Sequence, residues 1–532
     1  MRNLLLLMLL PILMIGCSKD DEPDVVVVTF VQLDRTELEL QINGTYKFCV
    51  SYSPVNAEKP NYEWSSSNSE IVSVNSEGEV TALTVGEATI TLTAKQQNRT
   101  LTSSCAISVL PINTTSITLN KTSLELTIGE EETLTYIIEP ENATNKDVEW
   151  KSTNPEIASV DNGKVIALTV GETTIEVTSK DGKTKTTCTI KVKLLLINVE
   201  IPGTLSKFLT DKQKKNTKEL AITGTLNSSD YLLFFDMPLL TTLDLSDLSD
   251  RTIPASAFSE NQNIKRVLLP KNLTSIPKKL FYNTNISTCD IPETVSSIGD
   301  YAFYFCRNLT GGLIIPENVV SIGEFSFFNC IGFSGDLIIP DNVLSIGQYA
   351  FYHCNGFHGK LVIGGGVKVI GNDVFRDCDG FAGSLTLGNR IEVIGTSAFN
   401  GCRFSGSLII PNSVITIGSA AFHSCSKFSG NLIIGDNVTS ISHSAFEGCL
   451  GFTGDLVIGK KVTSIDQETF MGCDNFGKVY SKNPTPPMIK ENSIPNYRYV
   501  GVPSGAKNNY RDAFRWSDIL VIEEVDFGTL GY

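Results

Sequence analysis

Leu337-Ile338-Ile339-Pro340-Asp341-Asn342-Val343-Leu344-Ser345-Ile346-Gly347-Gln348-Tyr349-Ala350-Phe351-Tyr352-His353-Cys354 is one turn of a pattern that fills the second half of the chain. Its phenylalanine recurs as Phe303, Phe327, Phe351, Phe375, Phe399, Phe422, Phe446 and Phe470, every 23–24 residues. Three positions after each stands a cysteine: Cys306, Cys330, Cys354, Cys378, Cys402, Cys425, Cys449 and Cys473. An isoleucine stands five before, as at Ile298, Ile322 and Ile346. Leu-x-Ile or Leu-x-Leu triplets fill a further slot at Leu313-Ile315, Leu337-Ile339, Leu361-Ile363 and Leu385-Leu387. Phe258 and Phe281 extend the ladder upstream in degenerate form. A fixed period of this length predicts a solenoid. The entropy lost in ordering one coil exceeds what its own apolar side chains gain. Stacked neighbours at about 4.8 Å add ladder hydrogen bonds and seal both faces, so the unit must repeat and its ends must be capped.

The coil consensus, L-x-I-P-x-x-V-x-x-I-G-x-x-A-F-x-x-C, resembles the BspA-type leucine-rich repeat over residues 253–478. Residues 195–252, with Leu220-Ala221-Ile222 and Leu243-Asp244-Leu245, look like that family's N-terminal cap. Residues 479–532, with Val502-Pro503-Ser504-Gly505-Ala506 and Trp516-Ser517-Asp518, look like its closing segment. The resemblance implies attachment at a cell surface, to host matrix or to other cells.

Upstream, from Phe30 to about Lys193, short runs alternate apolar and polar residues between turn-rich clusters, which predicts an all-β region. It repeats once. Pro54-Val55-Asn56-Ala57 with Tyr62-Glu63-Trp64-Ser65 returns as Pro140-Glu141-Asn142-Ala143 with Val148-Glu149-Trp150-Lys151. Ile71-Val72-Ser73-Val74 returns as Ile157-Ala158-Ser159-Val160, and Ala82-Leu83-Thr84-Val85-Gly86-Glu87 as Ala167-Leu168-Thr169-Val170-Gly171-Glu172. The two units, 30–110 and 111–194, resemble the bacterial Ig-like domain of group 2. That resemblance implies β-sandwiches, commonly spacers on surface proteins. The expected fold is therefore mostly β, two Ig-like β-sandwiches followed by a leucine-rich-repeat solenoid. Trp64 and Trp150 read as sandwich-core aromatics. Phe48, Val50 and Tyr52, matching Leu134, Tyr136 and Ile138, read as the inward set. Cys49 then faces out while Cys105 faces in, and opposed faces cannot be bridged.

The N-terminus bears on the compartment. The apolar run from Leu4 to Ile15, interrupted by Pro11, falls short of the ~20 residues that span a bilayer and has the length of a signal-peptide core. Met14-Ile15-Gly16-Cys17 resembles a lipobox, which implies a signal peptide over 1–17 and a lipid on Cys17. The acidic linker 18–29 opens with Ser18-Lys19-Asp20-Asp21-Glu22, similar to the export tag of Bacteroides-type surface lipoproteins. The expected location is the cell outer membrane, lipid-anchored and surface-exposed, with no other membrane contact. A net charge of −15 and a pI near 4.9 argue against a nucleic-acid partner.

No G-x-S-x-G, H-E-x-x-H, Walker A or EF-hand pattern occurs; of the four histidines (His353, His358, His423 and His443), His353 and His358 are neighbours in sequence but have no carboxylate placed to complete a triad. No enzyme, cofactor or metal is expected. The eight periodic cysteines fit a reduced buried ladder, since free Cys packs as a small hydrophobe; disulfides and metal are the other readings. C-x-x-C spacing never occurs.

Departures from the consensus carry the functional expectation. Beside the periodic Phe, early coils place Tyr301, Tyr304 and Phe305, then Phe325 and Phe328, then Tyr349, Tyr352 and His353. Later coils place Asp373, Arg376, Ser397, Asn400, Ser444 and Glu447 there. An outward aromatic patch three coils long follows, with Tyr301, Tyr304, Phe328, Tyr349, Tyr352 and His353 as candidate ligand contacts. Local packing against a cap or an insertion is the other reading. The middle triplet residues Ile314, Ile338, Val362, Thr386, Ile409, Ile433 and Val457 should also face out. They form either a partner surface or a row of ordinary β-branched choices. Adhesion or recognition of a host or bacterial surface protein is the expected function, with glycan binding for polysaccharide capture as the alternative.

Overall fold

The computed structural model describes residues 26–494 and 498–531. Cys17, the signal stretch 1–17 and the linker up to residue 25 lie outside the described residues.

In the first sandwich, strict alternation decides which side of each strand is buried. Strand Gly86–Gln96 turns Ala88, Ile90, Leu92 and Ala94 inward, and Arg99–Leu110 turns Cys105, Ile107 and Val109 to meet them. With Glu37–Gln41 and Asn61–Ser66 they make a four-stranded sheet. Thr45–Lys47, Glu79–Ala82 and Val72–Val74 make the facing three-stranded sheet. Cys105 is buried and Cys49 is exposed, and neither is bridged.

The second sandwich repeats these pairings. Ser116–Leu119 lies antiparallel to Tyr136–Glu139, and Ser123–Thr127 lies parallel to Lys185–Lys193. Glu131–Thr133, Lys164–Ala167 and Ala158–Asp161 form its three-stranded sheet. Trp64 packs against the core of the first sandwich as expected, lying on Phe48 with ring centroids 5.8 Å apart, but both it and Trp150 are half-buried rather than fully enclosed. One expectation needs correction. Tyr136 is 37% exposed where an inward residue was expected, its ring meeting Trp150 edge-on at 6.0 Å. A residue larger than glycine at Gly78 (φ +78°) would run into the Trp64 ring.

The solenoid is built on a ten-stranded parallel sheet whose rungs are only two residues long, from Ser275–Ile276 to Met488–Ile489. Each rung turns one isoleucine inward, and these isoleucines stack in register from Ile276 to Ile489. A second side is formed by Leu337–Ile339, Leu361–Ile363 and Leu385–Thr386, and then by a six-stranded sheet from Gly406–Ile409 to Val521–Glu524. The third side is the phenylalanine turn. Around Phe351, the backbone N–H groups of Tyr349, Phe351 and His353 donate to the carbonyls of Asn372, Val374 and Arg376 one coil on. Tyr349 and His353, either side of that phenylalanine, both adopt φ near +58°, and the same bracket recurs in most coils.

Inside, the periodic Phe rings from Phe258 to Phe470 stack one on the next at 5.0–5.5 Å. A second column, Phe333, Phe357, Phe381, Phe404, Phe428, Phe452 and Phe476, runs beside it at 5.1–6.0 Å.

The middle triplet row faces out over most of its length, Ile314 being 76% exposed. Val457 departs from that expectation and is fully buried. Its register partner Tyr480 is met by Phe527, so the C-terminal segment covers this end of the row. The start of the solenoid is the four-stranded parallel sheet Leu195–Val199, Glu219–Gly224, Thr242–Asp244 and Arg266–Leu268. At the far end, buried Trp516 donates its indole N–H to the Pro487 carbonyl (2.8 Å), and Tyr510 Oη lies 2.6 Å from Ser481 Oγ. Among the described residues no helix is long and apolar enough to cross a membrane.

Candidate functional site

A solenoid places the same slot of successive coils one above the other, so aromatic residues in one slot must stack. The slot two before the periodic Phe stacks Tyr301 on Phe325 (4.9 Å) and Phe325 on Tyr349 (4.8 Å). The slot after it stacks Tyr282, Tyr304, Phe328 and Tyr352, each pair 4.9 Å apart. The columns interlock at 5.5–5.8 Å. Phe305 closes on Phe328 at 5.6 Å, and His353 lies beside Tyr352 at 6.2 Å. Five of the six candidate residues therefore form one half-buried surface, with His353 at its margin.

The face is four coils long rather than three, because Tyr282 belongs to it. The signal was present: Tyr282 follows Phe281 as Tyr304 follows Phe303, but the degenerate coil around it hid the match.

Charge closes both ends. Lys279 Nζ lies 5.1 Å from the Tyr282 ring centre, and Lys278 Nζ 5.8 Å from that of Tyr301. At the far end the Arg376 guanidinium lies 5.9 Å from the Tyr352 ring centre and is held by Asp373 (3.1 Å) and Asp377 (3.6 Å). The nearby Asp373 carboxylate raises the Tyr349 hydroxyl above its usual value; burial, and then Asp377, raise that of Tyr352. These phenols stay protonated donors at neutral pH. Apart from the outer face of Tyr349, ring faces are thus taken up by neighbouring rings and by end cations, leaving mainly ring edges and hydroxyls for contact. Such a surface suits carbonyl and carboxylate acceptors better than flat stacking partners.

The cysteine row is buried, and it is more than filler. Each thiol reaches the carbonyl of the Phe one coil back: Cys330 Sγ lies 3.0 Å from Phe303 O, Cys354 Sγ 2.9 Å from Phe327 O, and Cys378 Sγ 2.9 Å from Phe351 O. The remaining five repeat this at 2.9–3.1 Å. In upstream coils Asn261 and Thr284 occupy the slot; Asn261 donates to the Phe234 carbonyl one coil back, as the thiols do, whereas Thr284 donates within its own coil to the Phe281 carbonyl. The slot therefore selects a small donor, a reason that size and hydropathy alone did not supply. Burial pushes the Cys306 and Cys354 thiols up to about 12. Among the described residues no group of three or more His, Cys, Asp or Glu is placed to hold a metal ion.

The model of the BspA type leucine-rich repeat region matches in six copies, over residues 195–310, 311–405, 358–477 and 392–515. This chain belongs to the BspA type leucine-rich repeat family. The bacterial Ig-like domain of group 2 matches residues 27–104 and 113–190. Two uncharacterized proteins of Clostridium acetobutylicum are similar. One is 34% identical over 178 residues, 33% of this chain and 18% of the relative; the other is 45% identical over 80 residues, 15% and 20%. The chain spans about a fifth of the length of these relatives. Among solved structures, a leucine-rich repeat protein from Bacteroides ovatus is 17% identical, covering 62% of this chain and 92% of its own, with a TM-score of 0.34. The T. pallidum leucine-rich repeat protein is 23% identical, covering 38% and 89%, with a TM-score of 0.29. Together the two domain families suggest a protein-interaction role at a surface.

A ladder thiol keeps its proton in the folded chain after the unfolded chain has lost it. Above about pH 8.5 the folded state therefore binds more protons, and stability falls as pH rises; below that value these groups add no pH dependence. Urea midpoints are expected to drop steeply between pH 8 and pH 10. Cys378→Ala should remove one proton from the slope, about 1.4 kcal/mol per pH unit. A midpoint unchanged across that range would mean that the thiols ionise as readily folded as unfolded.

Proposed function

We propose that this chain is a lipid-anchored protein of the bacterial outer membrane, exposed at the cell surface, and that it acts in adhesion or recognition through its leucine-rich repeats. Cys17 carries the lipid, and the two Ig-like domains lie in the chain between the anchor and the repeats. The partner is a protein on a host or bacterial surface, contacted by Tyr301, Tyr304, Phe328, Tyr349, Tyr352 and His353. The observation carrying this reading is the four-coil aromatic face set into an otherwise uniform solenoid. Aromatic clusters anchor protein interfaces because they combine large apolar area with few rotatable bonds. Capture of a glycan by this face is the weaker reading. A sugar ring needs an open aromatic face, and here neighbouring rings and Lys279, Lys278 and Arg376 occupy all the column faces but the outer one of Tyr349.

A matrix-protein and glycan array probed with the soluble chain from residue 18, beside a Tyr301/Tyr304/Tyr352→Ala variant, tests the face. Binding to a protein that weakens at least on the order of a hundredfold in the variant is expected. Equal binding by both forms would remove the face from the account, and a sugar hit lost in the variant would promote glycan capture. For the anchor, Cys17→Ser should abolish incorporation of radiolabelled fatty acid and release the protein from the membrane fraction. Retention of label in that variant would place the lipid elsewhere.

A further inference from the structure

The two sandwiches are copies of one design, so differences between them are informative. The first carries a cleft of about 540 Å³, walled by Phe48, Tyr52, Tyr62 and Trp64 and rimmed by Lys47 and Lys59. Eighty-six residues on, the second sandwich has Leu134, Ile138 and Val148 for the first three walls, and Thr133 and Asn145 for the lysines; of the aromatics only the tryptophan is kept, as Trp150, while Val50 of the lining becomes Tyr136. The fold is therefore satisfied by aliphatic and neutral residues at these slots. The first copy has instead gathered aromatic surface, a phenol and two cations into one place.

One of those choices is costly. Tyr62 Oη is buried and has no hydrogen-bond partner among the described residues, and an unsatisfied buried hydroxyl is destabilising, a cost that the valine of the sister domain avoids. Lys59 Nζ lies 5.3 Å from the Tyr62 ring centre and makes no ion pair among the described residues. At the opposite rim Lys47 meets Glu77 at 2.9 Å, a pair that offers both donors and an acceptor to the mouth of the cleft.

We propose that this cleft binds a sugar ring bearing a carboxylate, a uronic-acid unit of an acidic glycan. Tyr52 and Tyr62 take the C–H surface of the ring. The Lys47–Glu77 pair takes its hydroxyls, and Lys59 takes the carboxylate. An apolar ligand would leave the Lys59 cation unmatched, whereas a sugar acid pairs it while using the aromatic walls.

The test is calorimetric titration of the full chain with trigalacturonate, and with neutral galactotriose as its counterpart. The acidic sugar is expected to bind at least about tenfold more tightly than the neutral one and to weaken with added salt. Lys59→Gln should erase that preference. Transplanting the sister residues, Tyr52→Ile, Lys59→Asn and Tyr62→Val, should abolish binding in a domain whose copy already folds with them; circular dichroism checks the fold. Tyr301/Tyr304/Tyr352→Ala should leave this binding unchanged, which separates the cleft from the solenoid face. Equal affinity for the two sugars would overturn the carboxylate assignment. Trigalacturonate binding that survives the transplant, or none at millimolar sugar, would overturn the site.

Discussion

Backbone hydrogen bonding between neighbouring coils is the constraint on which the solenoid depends. The turn around each periodic phenylalanine holds two residues at positive φ, a conformation that costs a side-chain-bearing residue about 1 kcal/mol or more. The N–H groups of those two residues and of the phenylalanine between them find carbonyls only on the next coil, while the alternate N–H groups close the turn within its own coil. A lone coil would have the strain without the bonds. Once stacked, every slot must repeat its shape, because a Phe ring flanked at just over 5 Å by its neighbours leaves no room for variation. The thiol in the following slot adds its own link back to the preceding Phe carbonyl.

That constraint also says where function can lie. Inward slots are committed to the stack, so chemistry can vary only in slots that reach the surface. There the columns change character along the solenoid: Tyr301, Phe325 and Tyr349 give way to Asp373 and Ser397, and Tyr304, Phe328 and Tyr352 give way to Arg376 and Asn400. The backbone beneath is the same throughout. The same logic applies to the tandem sandwiches, where Trp64 and Trp150 share a position while Tyr62 and Val148 do not.

Most of the architecture was legible because it is periodic. The Phe-x-x-Cys spacing and the twofold repeat around Trp64 and Trp150 placed the solenoid and the sandwiches without reference to tertiary structure. What escaped depended on contacts that no local pattern encodes. The second phenylalanine column follows a glycine at Phe333, Phe357, Phe381 and Phe452 but not at Phe404, Phe428 and Phe476, so its stacking emerges only from the structure. Val457 fits the outward row by alternation, yet it is buried where a distant segment around Phe527 folds over the sheet. The cysteine slot was understood as small and apolar, whereas Thr284 and Asn261 reveal it as a donor position. The aromatic face was found from its residues, but the filling of its ring faces came only from the geometry.

Native-state hydrogen exchange at the amides of Phe303, Phe327, Phe351, Phe375, Phe399, Phe422 and Phe446 tests the interdependence of the coils most directly. These N–H groups all bond across coil boundaries, so the account predicts that they share one high protection and one dependence on denaturant, exchanging only when the stack opens as a unit. Graded protection, with each coil opening at its own free energy, would contradict the claim that no coil is stable without its neighbours.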